Sequence, residues 1–172
     1  MIDLLRQRRS IRKYLSHQIE PEKVELLKEA LLRSPTSRNF RPWEFIIVDD
    51  PHLLSELSRA KQSGSVFLKG APLAAVILGD EEKSDVWVED CSIASIIVQL
   101  TAQSLGLGSC WVQIRKRNHS DSVTSEEFVQ NLFGLSPNLK VESIIVIGYP
   151  DEQREGIPRE DLYDAKIHIN KF

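Results

Sequence analysis

The sequence has little that would staple it, anchor it or export it. Only two cysteines occur, Cys91 and Cys110, and they form no CxxC pair. Four histidines are scattered without metal-ligand spacing, so neither a disulfide framework nor a structural metal is expected. No apolar run approaches the roughly 20 residues that span a bilayer, and the charged N-terminus is unlike a secretory signal. There is no Walker A segment, no GxSxG and no HExxH. A net charge of -3 argues against a dedicated nucleic-acid binder. These absences lead to the expectation of a reduced, cytoplasmic protein, with no membrane and no nucleic acid among its partners.

The 172 residues are 41% apolar and 27% charged, enough for one domain, 1–172, with a substantial core. Acidic residues are also missing where it matters. None occurs between Asp3 and Glu20, and that stretch carries Arg6, Arg8, Arg9, Arg12 and Lys13. A mildly acidic chain that gathers cations in one place has an anion to hold.

Periodicity predicts a short helix over 1–9 and a second one starting at Pro21, where a first turn tolerates proline. Apolar runs at 44–50, 73–78, 110–114 and 141–147 predict strands. Pro51 opens a helix to residue 60. Residues 90–105 are apolar on nearly every side, which predicts a central helix buried throughout. Thr124 and Glu127 make a capping box for a helix ending at Gly134. Alternation at Ile167 and Ile169 predicts a half-buried strand at the end of the chain. The expected fold class is α+β, with helices packed on a central mixed sheet of about four or five strands.

Three segments could carry chemistry. Arg8-Arg9-Ser10-Ile11-Arg12 offers guanidinium forks and a hydroxyl suited to a phosphate monoester, although a solvated basic face or a nucleic-acid contact fits the same spacing. Ser34-Pro35-Thr36-Ser37-Arg38-Asn39-Phe40-Arg41-Pro42-Trp43 supplies hydroxyls and an amide that could read the edge of a heteroaromatic ring, or is an ordinary loop. Gly106-Leu107-Gly108-Ser109-Cys110-Trp111 lets backbone approach something flat. It is not a dinucleotide fingerprint, because it follows a helix and enters a strand. Cys110 sits in an apolar strand and reads as packing, not as a nucleophile.

In order and spacing these segments, together with Trp87-Val88-Glu89-Asp90-Cys91-Ser92-Ile93-Ala94 and Ile147-Gly148-Tyr149-Pro150, resemble the FMN-dependent nitroreductase family. The resemblance runs from Leu5 to Pro150. It implies a nitroreductase-like fold that dimerises through the long central helix and exchanges its termini, with two FMN sites in the homodimer interface. By motif match, Arg8, Arg9 and Ser10 should hold the ribityl phosphate, and Arg12 should lie beside the pyrimidine end and tune the flavin electrostatically. Pro35, Thr36, Ser37 and Asn39 should come from the partner subunit. Backbone around Trp111, Val112 and Gln113 should face the reactive ring nitrogen. Many relatives complete the phosphate site with a basic pair after Gly-Tyr-Pro. Here Arg159 is assigned that role, with Arg154 as its rival.

The resemblance implies an NAD(P)H-dependent FMN oxidoreductase using NADH or NADPH. It would reduce nitroaromatic, quinone or similar small acceptors by ping-pong hydride transfer, with no catalytic side chain and no metal. A flavoprotein of the same fold with another activity (a dehalogenase, or a flavin-destroying or heterocycle-oxidising enzyme) and a non-enzymatic flavin binder are the competing readings. The short 61–70 region leaves little room for the helical excursion that covers the site in larger relatives.

Overall fold

A computed structural model describes all 172 residues. Five helices, α1 (Ile2–Gln7), α2 (Pro21–Leu32), α3 (Pro51–Leu57), α4 (Trp87–Ser104) and α5 (Ser125–Phe133), surround four strands. These are β1 (Trp43–Val48), β2 (Leu73–Asp80), β3 (Gly108–Gln113) and β4 (Leu139–Gly148), in spatial order β1-β2-β4-β3. The fold is α+β, as expected. Every strand pairing is antiparallel, so the sheet is not the mixed one anticipated, and the sole parallel element is an isolated bridge from Ser10 to Ser109.

Alternation along β2 and β4 divides the core. Ala74, Val76, Leu78, Ile144 and Val146 face α3 and α5. Leu73, Ala75, Ile77, Ile145 and Ile147 face α2 and α4. Local chemistry fixes the element ends. Thr124 and Glu127 form the reciprocal capping box, and Gly134 stops α5 in the left-handed region at φ 62°. The Asp50 carboxylate caps α3 by accepting the His52 and Leu53 N–H groups.

Two expectations need correction. Helix α4 is not buried throughout. Cys91, Ala94, Val98 and Ala102 lie against the sheet, but Ile93 and Ile96 are 39% and 37% exposed. Apolar periodicity reports which faces avoid water, not what covers them, and one chain supplies cover for one face only. The tail is not a strand either. Asp164–Lys166 is a 3-10 turn, and Ile167 and Ile169 are exposed, because no sheet edge of the same chain lies beside them. No helix is long and apolar enough to cross a membrane.

Candidate cofactor site at the open edge of the sheet

The basic segment leaves α1 at Arg8 in extended backbone and runs beside β3, the last strand of the sheet. The Ile11 N–H donates to the Ser109 carbonyl (2.9 Å). Ile11 then lies over Gly108, where a Cβ would collide with its side chain. The segment is held from behind as well. The Tyr14 hydroxyl donates to the Ile11 carbonyl, and the Glu152 carboxylate accepts the N–H groups of Arg12 and Lys13. Those bonds, Arg12 first, keep the Glu152 carboxyl below the usual carboxylate range. The Arg9 guanidinium donates to the Glu155 carbonyl (2.6 Å). Arg8 and Arg12 have no carboxylate partner, so both remain available to an anion.

Ser109 points its carbonyl outward, away from β4. A period of two therefore puts the N–H and C=O of Trp111 and Gln113 on the same open edge, while Cys110 and Val112 bond inward to β4. An open edge of this kind is a row of donors and acceptors seeking a partner. The Trp111 indole N–H donates to the Gln113 side-chain oxygen (2.8 Å), and the Gln113 amide donates to the Arg115 carbonyl (3.1 Å), so both side chains are fixed. Burial pushes the Cys110 thiol up, against the pull of Arg12, the Ser10 hydroxyl and Arg8, and Ser10 itself bridges to Ser109 near the start of β3. Cys110 is 1% exposed and packs as a core residue.

Sequence reasoning missed two residues here. Lys61, from the loop after α3, is part-buried; burial lowers its ammonium pKa, Arg117 adds to the effect, and Cys110 is a further neighbour. Its ammonium lies against Gly64, one of the residues that line a cavity beside Arg12. That cavity, of about 580 Å³, is lined among others by Arg12, Lys13, Tyr14, Phe67 and Lys69. The second missed residue is Asp90, 2% exposed in the first turn of α4. One of its oxygens accepts the Ser37 N–H (2.8 Å) and the other has no partner. No motif contains Lys61, and the 87–94 motif contains Asp90 without pointing to its role, because the Ser37 N–H reaches it from across the fold.

Within one chain the predicted residues form two groups. Arg8, Arg9, Ser10, Arg12, Trp111, Val112 and Gln113 come together at the β3 edge. Pro35, Thr36, Ser37 and Asn39 do not join them. They precede β1, at the opposite edge of the sheet, and no hydrogen bond or ion pair links the two groups. Their loop is strained, with Arg38, Asn39 and Arg41 at φ 49°, 57° and 49°. The Thr36 hydroxyl accepts the Arg41 N–H and the Asn39 side chain accepts from the Arg41 guanidinium, so the loop is nonetheless fixed. Arg154 pairs with Glu152, directly behind Arg12, whereas Arg159 pairs with Asp164 in the exposed tail. A flat ring with hydrogen-bonding edges and an anionic tail fits the β3 edge. The ring would meet the strand backbone, and the tail would meet Arg8 and Ser10.

The chain is similar to known proteins over nearly all of its length. The model of the nitroreductase family matches residues 5–65 and 59–149. The solved structure of an FMN-dependent nitroreductase from Clostridium difficile R20291 is 45% identical, superimposes with a TM-score of 0.98 and is covered over 100% of both chains. A structure from Clostridium acetobutylicum, named as an NADH oxidase, is 33% identical with a TM-score of 0.89, over 99% of this chain and 100% of that one. A protein from Archaeoglobus fulgidus, whose name gives it as an NADH dehydrogenase or NAD(P)H nitroreductase, is 34% identical over 96% of this chain and 94% of its own length.

Proposed function

The chain belongs to the nitroreductase family, and on that footing we propose that it is an FMN-dependent oxidoreductase that takes hydride from NADH or NADPH and delivers it to a small oxidised acceptor such as a nitroaromatic or a quinone. The open edge of β3, flanked by cations without acidic partners, is the observation that carries this reading.

Arg8 and Ser10 hold the phosphate of the cofactor through charge-assisted bonds, with Arg9 set beside them by Glu155. Trp111 and Gln113 present backbone to the ring, and the buried Val112 keeps that stretch of strand rigid. Bound FMN supplies the atom that accepts and passes on hydride. Arg12, fixed through its own N–H, places a cation at the pyrimidine end, where it favours the electron-rich form. Arg154, whose partner Glu152 also holds the Arg12 and Lys13 N–H groups, stands nearer the phosphate site than Arg159, whose partner Asp164 lies in the exposed tail, and Arg154 completes the site.

Thr36, Ser37 and Asn39 reach the site from a second copy of the chain, which agrees with a fixed polar loop displayed away from the first site. No side chain serves as an acid or base. Donor and acceptor occupy the same open space beside β3 in turn, so they react in a ping-pong sequence.

Steady-state rates with NADPH or NADH and a nitroaromatic or quinone acceptor test this reading. Varying one substrate at several fixed levels of the other should give parallel reciprocal lines. Intersecting lines would refute the shared space, and no turnover with either donor at full flavin occupancy would refute the oxidoreductase itself. Substituting Cys91 or Cys110 by alanine should leave turnover within a few-fold, against the 10²–10⁴-fold that loss of an acid or base costs.

A further inference from the structure

A second cavity, of about 410 Å³, lies beyond the end of β3 between Trp87 and the loop that follows Gln113. Its cations are Arg115, Lys116, Arg117 and Lys140. Two of these are already engaged. Lys140 pairs with Glu81 (3.1 Å), and Arg115 lies over the Trp87 ring with its Nε 4.0 Å from Glu142. Glu126 also lines the cavity and accepts the Val141 N–H (2.8 Å). Lys116 and Arg117 have no carboxylate partner.

These two cations are held in place. Lys116 sits at φ 58°, in the left-handed region. The Arg117 N–H donates to the Ile114 carbonyl (3.1 Å), and its own carbonyl accepts the Ser125 N–H (2.9 Å). The Asn118 carbonyl accepts the Gln62 N–H (3.1 Å), which ties the loop to the segment carrying Lys61. A strained, pinned loop that aims unpaired cations into a cavity is built to hold an anion. Arg115, Lys116 and Arg117, which line the cavity, closely follow the end of β3, so it adjoins the site already described along the chain. Lys116 is three residues past Gln113, so the two lie no more than about 10 Å apart along the chain, a distance a dinucleotide spans easily.

We infer that Lys116 and Arg117 bind a phosphate of the nicotinamide dinucleotide, so that the cavity beside Trp87 is the adenosine end of the hydride-donor site. This rests on the oxidoreductase reading above. The donor's nicotinamide lies at the β3 edge and its phosphates reach past Gln113. The two sources of phosphate are the pyrophosphate bridge, common to NADH and NADPH, and the 2′-phosphate of NADPH alone.

The test is calorimetric titration of the FMN-loaded protein with 2′,5′-ADP and with 5′-ADP, using wild type and a Lys116→Asn, Arg117→Gln double variant. Asparagine tolerates the left-handed backbone, and both positions are exposed. The double variant should bind at least one probe about tenfold more weakly. Loss confined to 2′,5′-ADP identifies the 2′-phosphate and a preference for NADPH; a loss for 5′-ADP equal to or larger than that for 2′,5′-ADP, which shares only the 5′-phosphate with it, identifies the bridge. Flavin content and reduction by 1-benzyl-1,4-dihydronicotinamide, which carries no phosphate, should be unchanged. A Lys28→Asn, Arg33→Gln protein, with the same charge change on α2, should match wild type. Unchanged binding of both probes in the Lys116, Arg117 variant, or equal loss in the α2 variant, would overturn the assignment while leaving the flavin reading standing. A colourless protein that cannot be reconstituted would defeat the flavin reading instead.

Discussion

Glu142 is the residue at which the pairing of β2 with β4 slips. Ile77 faces Ser143 and Leu78 faces Val141, which leaves Glu142 unopposed in a bulge. Its side chain is buried, one oxygen has no partner, and Arg115 approaches only to 4.0 Å. Burial therefore pushes its carboxyl up, against the pull of Gln113 and Arg115 and with help from Glu126 and Glu89. An acid raised on folding stabilises the fold below its ordinary value, and that contribution is lost as pH rises through the raised value. Glu142→Gln should thus be close to neutral near pH 4 and raise the melting temperature by about 2–4 °C at pH 8, the shift expected for about 1 kcal/mol in a chain of this size. A difference that does not change with pH would contradict this. Asp90 acts on another loop. Asp90→Ala removes the acceptor of the Ser37 N–H and should weaken FMN binding about tenfold if that loop serves the partner's flavin, whereas Asp90→Asn keeps an oxygen in place and should restore it. FMN affinities of the two variants decide the point, and equal losses would mean the carboxylate has some other role.

The elements that were legible in the sequence are those whose cause is local. Helix α5 begins at a capping box and ends at a left-handed glycine, all visible within eleven residues from Thr124 to Gly134. Thr124→Ala should cost about 1 kcal/mol, readable in a denaturant titration as a lower midpoint at unchanged slope. The strands announced themselves as apolar runs between turn residues. What could not be read is what each face meets. The alternation at Ile167 and Ile169 belongs to a segment with no strand of its own chain to pair with, and the apolar residues of α4 include a stripe the chain leaves open. The site divides in the same way. The Arg8–Arg12 segment and the 34–43 loop were visible as motifs. Lys61, Asp90 and the cation pair at 116–117 acquire meaning only once the sheet brings distant segments together; Ser37 and Asp90 are 53 residues apart.

At the scale of the whole molecule, α1 packs on α4, and both helices leave apolar residues in water. Ile93 and Ile96 of α4, Ile2 and Leu5 of α1, and Met1 are all exposed. A second copy of the chain covers these residues in the proposed dimer, and the same symmetry would carry each Ser37 loop toward the other copy's β3 edge. Ile93→Glu with Ile96→Glu should yield a monomer by sedimentation that has also lost its FMN. A dimer that persists would place the interface elsewhere.

The central claim is that the β3 edge and its cations form an FMN site, and flavin titration tests it most directly. The purified protein, reconstituted and freed of excess ligand, should be yellow with one FMN per chain. Arg8→Ala should bind FMN about tenfold or more weakly while its affinity for riboflavin, which lacks the phosphate, changes little. A protein that retains no FMN after reconstitution, or an Arg8→Ala variant that loses FMN and riboflavin equally, would contradict the account.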